Sequence, residues 1–72
     1  MTAEYLRGLL EGWDLTPSQV ARLVGCTRRT VERWLHDQQD IPLPAARLLA
    51  LLVHYEISPD EAFDLFVREA AQ

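Results

Sequence analysis

The residues best suited to chemistry in this chain are three arginines and a glutamate near its centre: Arg28, Arg29, Glu32 and Arg33. Apolar residues Val31, Trp34 and Leu35 alternate with them at helical period, which predicts that the charged side chains face outward. A guanidinium can donate two hydrogen bonds to O6 and N7 of guanine. The pattern therefore predicts a helix that reads base edges in the DNA major groove.

Two alternatives remain open for this charged face. It could be a solvated surface on which Arg28 and Glu32 pair at i, i+4. Glu32 itself could accept a hydrogen bond from N4 of cytosine, or it could orient the neighbouring arginines.

The residues before this helix have the spacing of a helix-turn-helix. Leu15–His36 reads as two short helices joined by a sharp turn, with Ala21, Gly25 and Val31 at the required positions. Ala21 lets the helices cross closely, Gly25 supplies a positive φ, and Val31 enters the core. Such a unit presents its second helix to the major groove.

Several polar residues beside the predicted base-reading face are candidates for the DNA backbone. The free amides and positive dipole at a helix N-terminus favour phosphate. Thr16 and Thr27 are first of all helix caps, whereas Arg22 and His36 could also be plain solvated residues. The complete set of predicted backbone contacts is Thr16, Ser18, Gln19, Arg22, Thr27 and His36.

Caps and apolar periodicity predict an all-α fold of five helices with no strand. Thr16 and Ser58 each begin a capping box. The leucine-rich fourth helix is apolar around most of its circumference, so we expect it to lie at the centre of the fold. The predicted elements are helix one over Ala3–Gly12, helix two from Pro17 to a stop at Gly25, helix three over Arg28–Asp37, a loop over Gln38–Leu43, helix four from Pro44, and helix five over Pro59–Ala70.

Length and composition predict one domain over residues 1–72 and argue against several function classes. The chain has 72 residues, 49% of them apolar, and no apolar run long enough to span a membrane. One cysteine and two histidines cannot form a zinc site or an internal disulfide. No catalytic residue pattern, phosphate loop, metal site or cofactor site is evident, so we expect a cytoplasmic binding protein without enzymatic activity, cofactor or small-molecule ligand.

The charge is divided unevenly along the chain. The formal net charge is −4 and the pI is about 4.9. Four arginines and one acid fall between Arg22 and His36, whereas two arginines and six acids fall between Asp40 and Gln72. Because exposed charges are screened beyond about 8 Å at physiological salt, this division predicts a basic DNA-binding face and an acidic rear surface.

Helix five carries apolar residues on more than one side, and its i, i+3, i+4, i+7 stripe predicts a homodimer contact. A chain this small rarely leaves a large apolar patch in water. The predicted interface residues, within the dimerisation helix 59–70, are Phe63, Phe66, Val67 and Ala70.

The motif LTPSQVARLVGCTRRTVERW followed by IPLPAARLLALL resembles the Cro/phage-repressor superfamily, also called the Xre family. The resemblance covers Leu15–Leu52 and departs from many relatives in its acidic pI. The segment YLRGLL and the short length also resemble small anti-CRISPR-associated repressors of phages and mobile elements. The resemblance implies a compact five-helix lambda-repressor-like DNA-binding domain that binds an inverted repeat in a promoter as a homodimer.

The function expected from the residues and the resemblance together is sequence-specific transcriptional repression, often of the protein's own operon. The alternative is an antitoxin or protein inhibitor that acts through its acidic surface on a protein partner.

Overall fold

The computed structural model describes residues 1–70, with side chains described up to residue 69. These residues form five α-helices and no strand, which confirms the predicted all-α class. The helices are α1 (Ala3–Trp13), α2 (Pro17–Val24), α3 (Arg28–Leu35), α4 (Leu43–His54) and α5 (Pro59–Ala70). No described helix has the length and apolar character needed to cross a membrane.

All five helices contribute to one hydrophobic core, and the second and third helices form the most extensive pair. Each large apolar side chain that is fully buried stabilises the fold by about 1.5–3 kcal/mol. The largest of them is Trp34, which is 2% exposed and therefore packs in the core as its position on the apolar stripe predicts. The buried set is Leu6, Val20, Ala21, Leu23, Val31, Trp34, Ala45, Leu49, Leu52 and Ala62.

The predicted N-terminal caps are present. The amide of Gln19 donates to Thr16 Oγ1 over 3.2 Å, and the amide of Thr16 donates to Gln19 Oε1 over 2.8 Å, which completes the capping box of α2. At α5 the amide of Glu61 donates to Ser58 Oγ over 3.2 Å, so one of the two predicted bonds is formed. The fold also uses a cap that was not predicted, Thr2, which accepts from the amide of Tyr5.

The predicted ends of the first and third helices were wrong. α1 continues past Gly12 to Trp13, and α3 stops at Leu35 rather than Asp37. In each case an aspartate takes the left-handed conformation that ends the helix, with φ 54° at Asp14 and φ 58° at Asp37. Aspartate tolerates this region better than most residues, so a helix can end without glycine.

The fourth helix differs from prediction in its start and in its burial. It begins at Leu43, which was assigned to the loop, and it is not buried all round. One face, formed by Ala45, Leu49 and Leu52, enters the core, whereas Leu51 is 54% exposed and Tyr55 is 66% exposed. The apolar circumference of α4 therefore leaves hydrophobic side chains in water.

Gly25 provides a test of the turn between α2 and α3. Its φ is 86°, and a Cβ built there meets no atom within 4 Å, so the backbone conformation alone opposes a side chain. We expect Gly25→Ala to lower the free energy of unfolding by about 1 kcal/mol, because the left-handed penalty of ~1–2 kcal/mol is partly offset by a stiffer unfolded chain. Gly25→Asn should cost less, since asparagine enters this region more readily. Urea unfolding of both variants checks this, and equal losses would contradict it.

Candidate nucleic-acid interface

The second and third helices form a helix-turn-helix whose turn is closed by backbone hydrogen bonds. The amides of Gly25 and Cys26 both donate to the carbonyl of Ala21, over 2.8 and 2.9 Å. Ala21 is 4% exposed and Val31 is fully buried, as the predicted spacing requires. The small side chain of Ala21 leaves room for α3 to pack closely on α2, which sets the direction of α3.

The predicted base-reading arginines lie on the solvent side of α3. Val31 and Trp34 occupy the opposite, buried side. Arg28, Arg29 and Arg33 are exposed. Because the helix has only eight residues, burial of the two core side chains determines its rotation about its own axis and hence which residues face outward. The arrangement offers three guanidinium groups to a ligand that approaches this face.

Glu32 pairs with Arg28, as the i, i+4 alternative predicted. Arg28 Nε donates to Glu32 Oε1 over 2.9 Å, and the two side chains are 68% and 40% exposed. An exposed pair of this kind contributes little to stability, about 0.3–0.5 kcal/mol. Its consequence is geometric, since it restrains the Arg28 guanidinium on the outer face of α3.

The polar residues at the N-termini of α2 and α3 are engaged in capping. Thr16 and Gln19 form the capping box, while Ser18 is exposed beside them. Thr27 Oγ1 accepts from the amide of Thr30 over 3.3 Å and lies 2.9 Å from the Thr30 hydroxyl oxygen. Pro17 has no N–H and the caps use the amides of Gln19 and Thr30, so the amides of Ser18, Arg28 and Arg29 are the N-terminal donors without an acceptor within their helix, and they can donate to an anion.

The last two predicted backbone residues have other neighbours. His36 is exposed and forms the C-cap of α3, and its amide donates to the carbonyl of Glu32 over 3.0 Å. The Arg22 guanidinium lies 5.1 Å from the centroid of the Phe63 ring in α5. This cation–π contact joins α2 to α5 and was not predicted, because the sequence separation of the two residues carries no periodic signal.

Arg7 supports α3, a role that was not predicted from the sequence. Its Nε and one terminal nitrogen, Nη2, donate to the backbone carbonyl of Leu35 over 3.1 and 2.9 Å. Leu35 is the last residue of α3, so this contact ties the C-terminal end of that helix to α1. A charge-assisted bond to the last carbonyls also complements the negative end of the helix dipole.

Cys26 occupies the turn between the two helices and is half-buried. Burial raises the pKa of its thiol, so the protonated form prevails at neutral pH. The residue therefore serves as a small apolar group next to Gly25.

The predicted dimer residues lie on a helix that also covers the core of its own chain. Phe63 and Phe66 are half-buried against that core, while Val67 is 68% exposed. Leu65, also on α5, is 48% exposed. Ala70 ends α5, and its side chain lies outside the described residues.

Comparison with known proteins identifies the same region. The family model described as winged helix-turn helix matches residues 2–41, more than half of the chain. This segment contains α1, α2, α3 and most of the connection to α4. No curated protein and no solved structure matches the chain.

The exposed arginines of α3 yield a direct test with a matched control. Arg33→Ala should weaken binding to a preferred DNA sequence by about 1–3 kcal/mol, as expected for an arginine that reads a base. Arg68→Ala removes the same charge from α5, where Arg68 pairs with Asp64, and should change binding far less. Fluorescence anisotropy with labelled duplex measures both. Equal binding by the two variants would refute the assignment of α3 as the recognition helix.

Proposed function

The chain belongs to the winged helix-turn-helix family, and from this premise we propose that it is a sequence-specific DNA-binding regulator whose α3 enters the major groove. The observation that carries the proposal is the exposed face of Arg28, Arg29 and Arg33, backed by the buried Val31 and Trp34 within the matched segment. Guanidinium groups at this position have the donor pattern that guanine accepts.

In this proposal the contacts divide into two classes. The arginines on the outer face of α3 read bases, with Glu32 beside them on that face, whereas the surrounding polar residues bind phosphates and fix the register. The proposed backbone contacts are those of the capped helix N-termini, together with the flanking side chains: Thr16, Ser18, Gln19, Arg22, Thr27 and His36. A net negative chain can still bind DNA, because its acids are concentrated after α3 and screening weakens their effect at the basic face.

A finer proposal concerns the regulatory role. The resemblance of Leu15–Leu52 to the Cro/phage-repressor superfamily supports a cytoplasmic repressor that binds an inverted repeat as a homodimer and controls its own operon, in a phage or mobile element. An operator that overlaps a promoter would exclude the polymerase sterically, so repression needs no catalytic residue. The opening YLRGLL motif adds a resemblance to anti-CRISPR-associated repressors.

One observation favours a second candidate, an antitoxin or protein inhibitor. The six acids from Asp40 onward are all exposed and could face a basic protein partner; they are Asp40, Glu56, Asp60, Glu61, Asp64 and Glu69. A protein that acts only through this surface would bind no DNA, whereas an antitoxin that also represses would bind both partners.

Selection from random duplexes separates these functions. The DNA-binding proposal predicts that the purified protein enriches a defined sequence. Affinity for that sequence should fall steeply with salt, because phosphate contacts release counterions. Between 50 and 200 mM salt a loss of about 10³-fold is expected for roughly six phosphate contacts. Absence of any enriched sequence, with capture of a protein partner that charge reversal at Glu61 and Asp64 abolishes, would favour the inhibitor function.

The proposed dimer contact on α5 can be tested at Val67, whose exposure makes the fold insensitive to it. Val67→Glu should convert a dimer to a monomer in analytical ultracentrifugation. It should also weaken binding to a full inverted repeat, whose half-sites lie about 34 Å apart, while single half-sites bind as before. Leu51→Glu is the matched control, since it places the same charge on an exposed apolar position of α4. If only Leu51→Glu dissociated the dimer, the dimer contact would lie on α4 and not on α5.

A further inference from the structure

We propose that Glu32 determines sequence specificity by positioning Arg28 for an end-on contact with guanine, rather than by contacting a base itself. The proposal rests on the DNA-binding function proposed above. It gives Arg28 the contact with the base and Glu32 the role of positioning Arg28. It starts from the 2.9 Å hydrogen bond between Arg28 Nε and Glu32 Oε1.

This hydrogen bond determines which edge of the Arg28 guanidinium remains free for DNA. A guanidinium can form a bidentate contact through the edge that carries Nε and one terminal nitrogen, or end-on through its two terminal nitrogens. Glu32 occupies Nε, so the end-on edge is the one left for a base. The two terminal nitrogens match the O6 and N7 acceptors of guanine in the major groove.

The three arginines on this face differ in how they are held. Among the described residues, the ion pairs are Arg28 with Glu32 and Arg68 with Asp64, so neither Arg29 nor Arg33 is restrained by a carboxylate. An unrestrained arginine loses rotamer entropy when it binds, and it reaches a phosphate as easily as a base. Arg28 is held before DNA arrives, which favours a fixed direction of approach and therefore discrimination between bases.

Glu32 also weakens DNA binding through its negative charge, and this effect makes its role measurable. A carboxylate on the DNA-binding face repels phosphates, so its removal should strengthen binding to any duplex. If Glu32 positions Arg28, the same removal should weaken discrimination. Affinity for random DNA and preference for guanine are therefore expected to change in opposite directions, which a purely structural surface pair would not produce.

The experiment compares Glu32→Ala and Glu32→Gln with the wild-type protein on the selected duplex, on its three single variants at each base pair, and on random duplex. Glu32→Ala should raise affinity for random DNA about two- to fivefold and reduce preference for guanine at one base pair about two- to threefold, since an exposed ion pair restrains Arg28 only weakly. Glu32→Gln keeps an acceptor oxygen for Arg28 Nε without the charge. It should raise affinity for random DNA similarly while retaining most of the preference.

Arg28→Ala identifies the base pair involved. It should abolish preference at the same position, and the double variant Arg28→Ala with Glu32→Ala should lose no more preference than Arg28→Ala alone. Loss of preference at a different base pair in Glu32→Ala would show that Glu32 contacts a base and would overturn the proposal. Unchanged preference in Glu32→Ala would overturn it too. If the wild-type protein selects no sequence, the DNA-binding function itself fails, and this proposal fails with it.

Discussion

The packing of α3 on α2 is the constraint on which the rest of the structure depends. Two buried side chains of α3, Val31 and Trp34, determine the rotation of an eight-residue helix. Ala21 permits the close crossing, and Gly25 turns the chain between the two helices. A larger residue at Ala21 would push the helices apart in a core that has little room to adapt. The direction of the arginines therefore follows from apolar packing, although the arginines themselves contribute little to stability.

A helix of eight residues such as α3 must also be held at both ends, because its isolated helical propensity is too weak to keep it formed. Thr27 caps the N-terminal end through the amide of Thr30. Arg7 holds the C-terminal end through the carbonyl of Leu35, and Asp37 then turns the chain away. Since Arg7 belongs to α1 and Leu35 to α3, the first helix supports the arginine-bearing face of α3 without belonging to it. The segment that the winged helix-turn-helix family model matches begins at residue 2 and therefore includes this helix.

The parts of the fold that were predictable are those with a local signal. The threonine caps, Gly25 and the apolar period of α3 each lie within a few residues of the feature they determine, and the structure contains all three. The ends of α1 and α3 were missed because Asp14 and Asp37 take the left-handed conformation usually assigned to glycine. A weaker signal was present at Asp14. The amide of Leu15 donates to the carbonyl of Leu10, and both side chains are apolar and pack on the core, as is common where a helix ends in this way.

The features of the candidate site that escaped prediction are contacts between distant parts of the chain. Neither the bonds from Arg7 to Leu35 nor the contact of Arg22 with Phe63 follows from periodicity or composition, because both depend on how the helices pack. The contact with Phe63 gives Arg22 a structural role in addition to the proposed phosphate contact. A guanidinium above an aromatic ring keeps its edge donors available while its flat face is covered. Arg22 can therefore join α2 to α5 and still donate to a phosphate. Through this side chain the helix-turn-helix is in direct contact with the helix proposed for dimerisation.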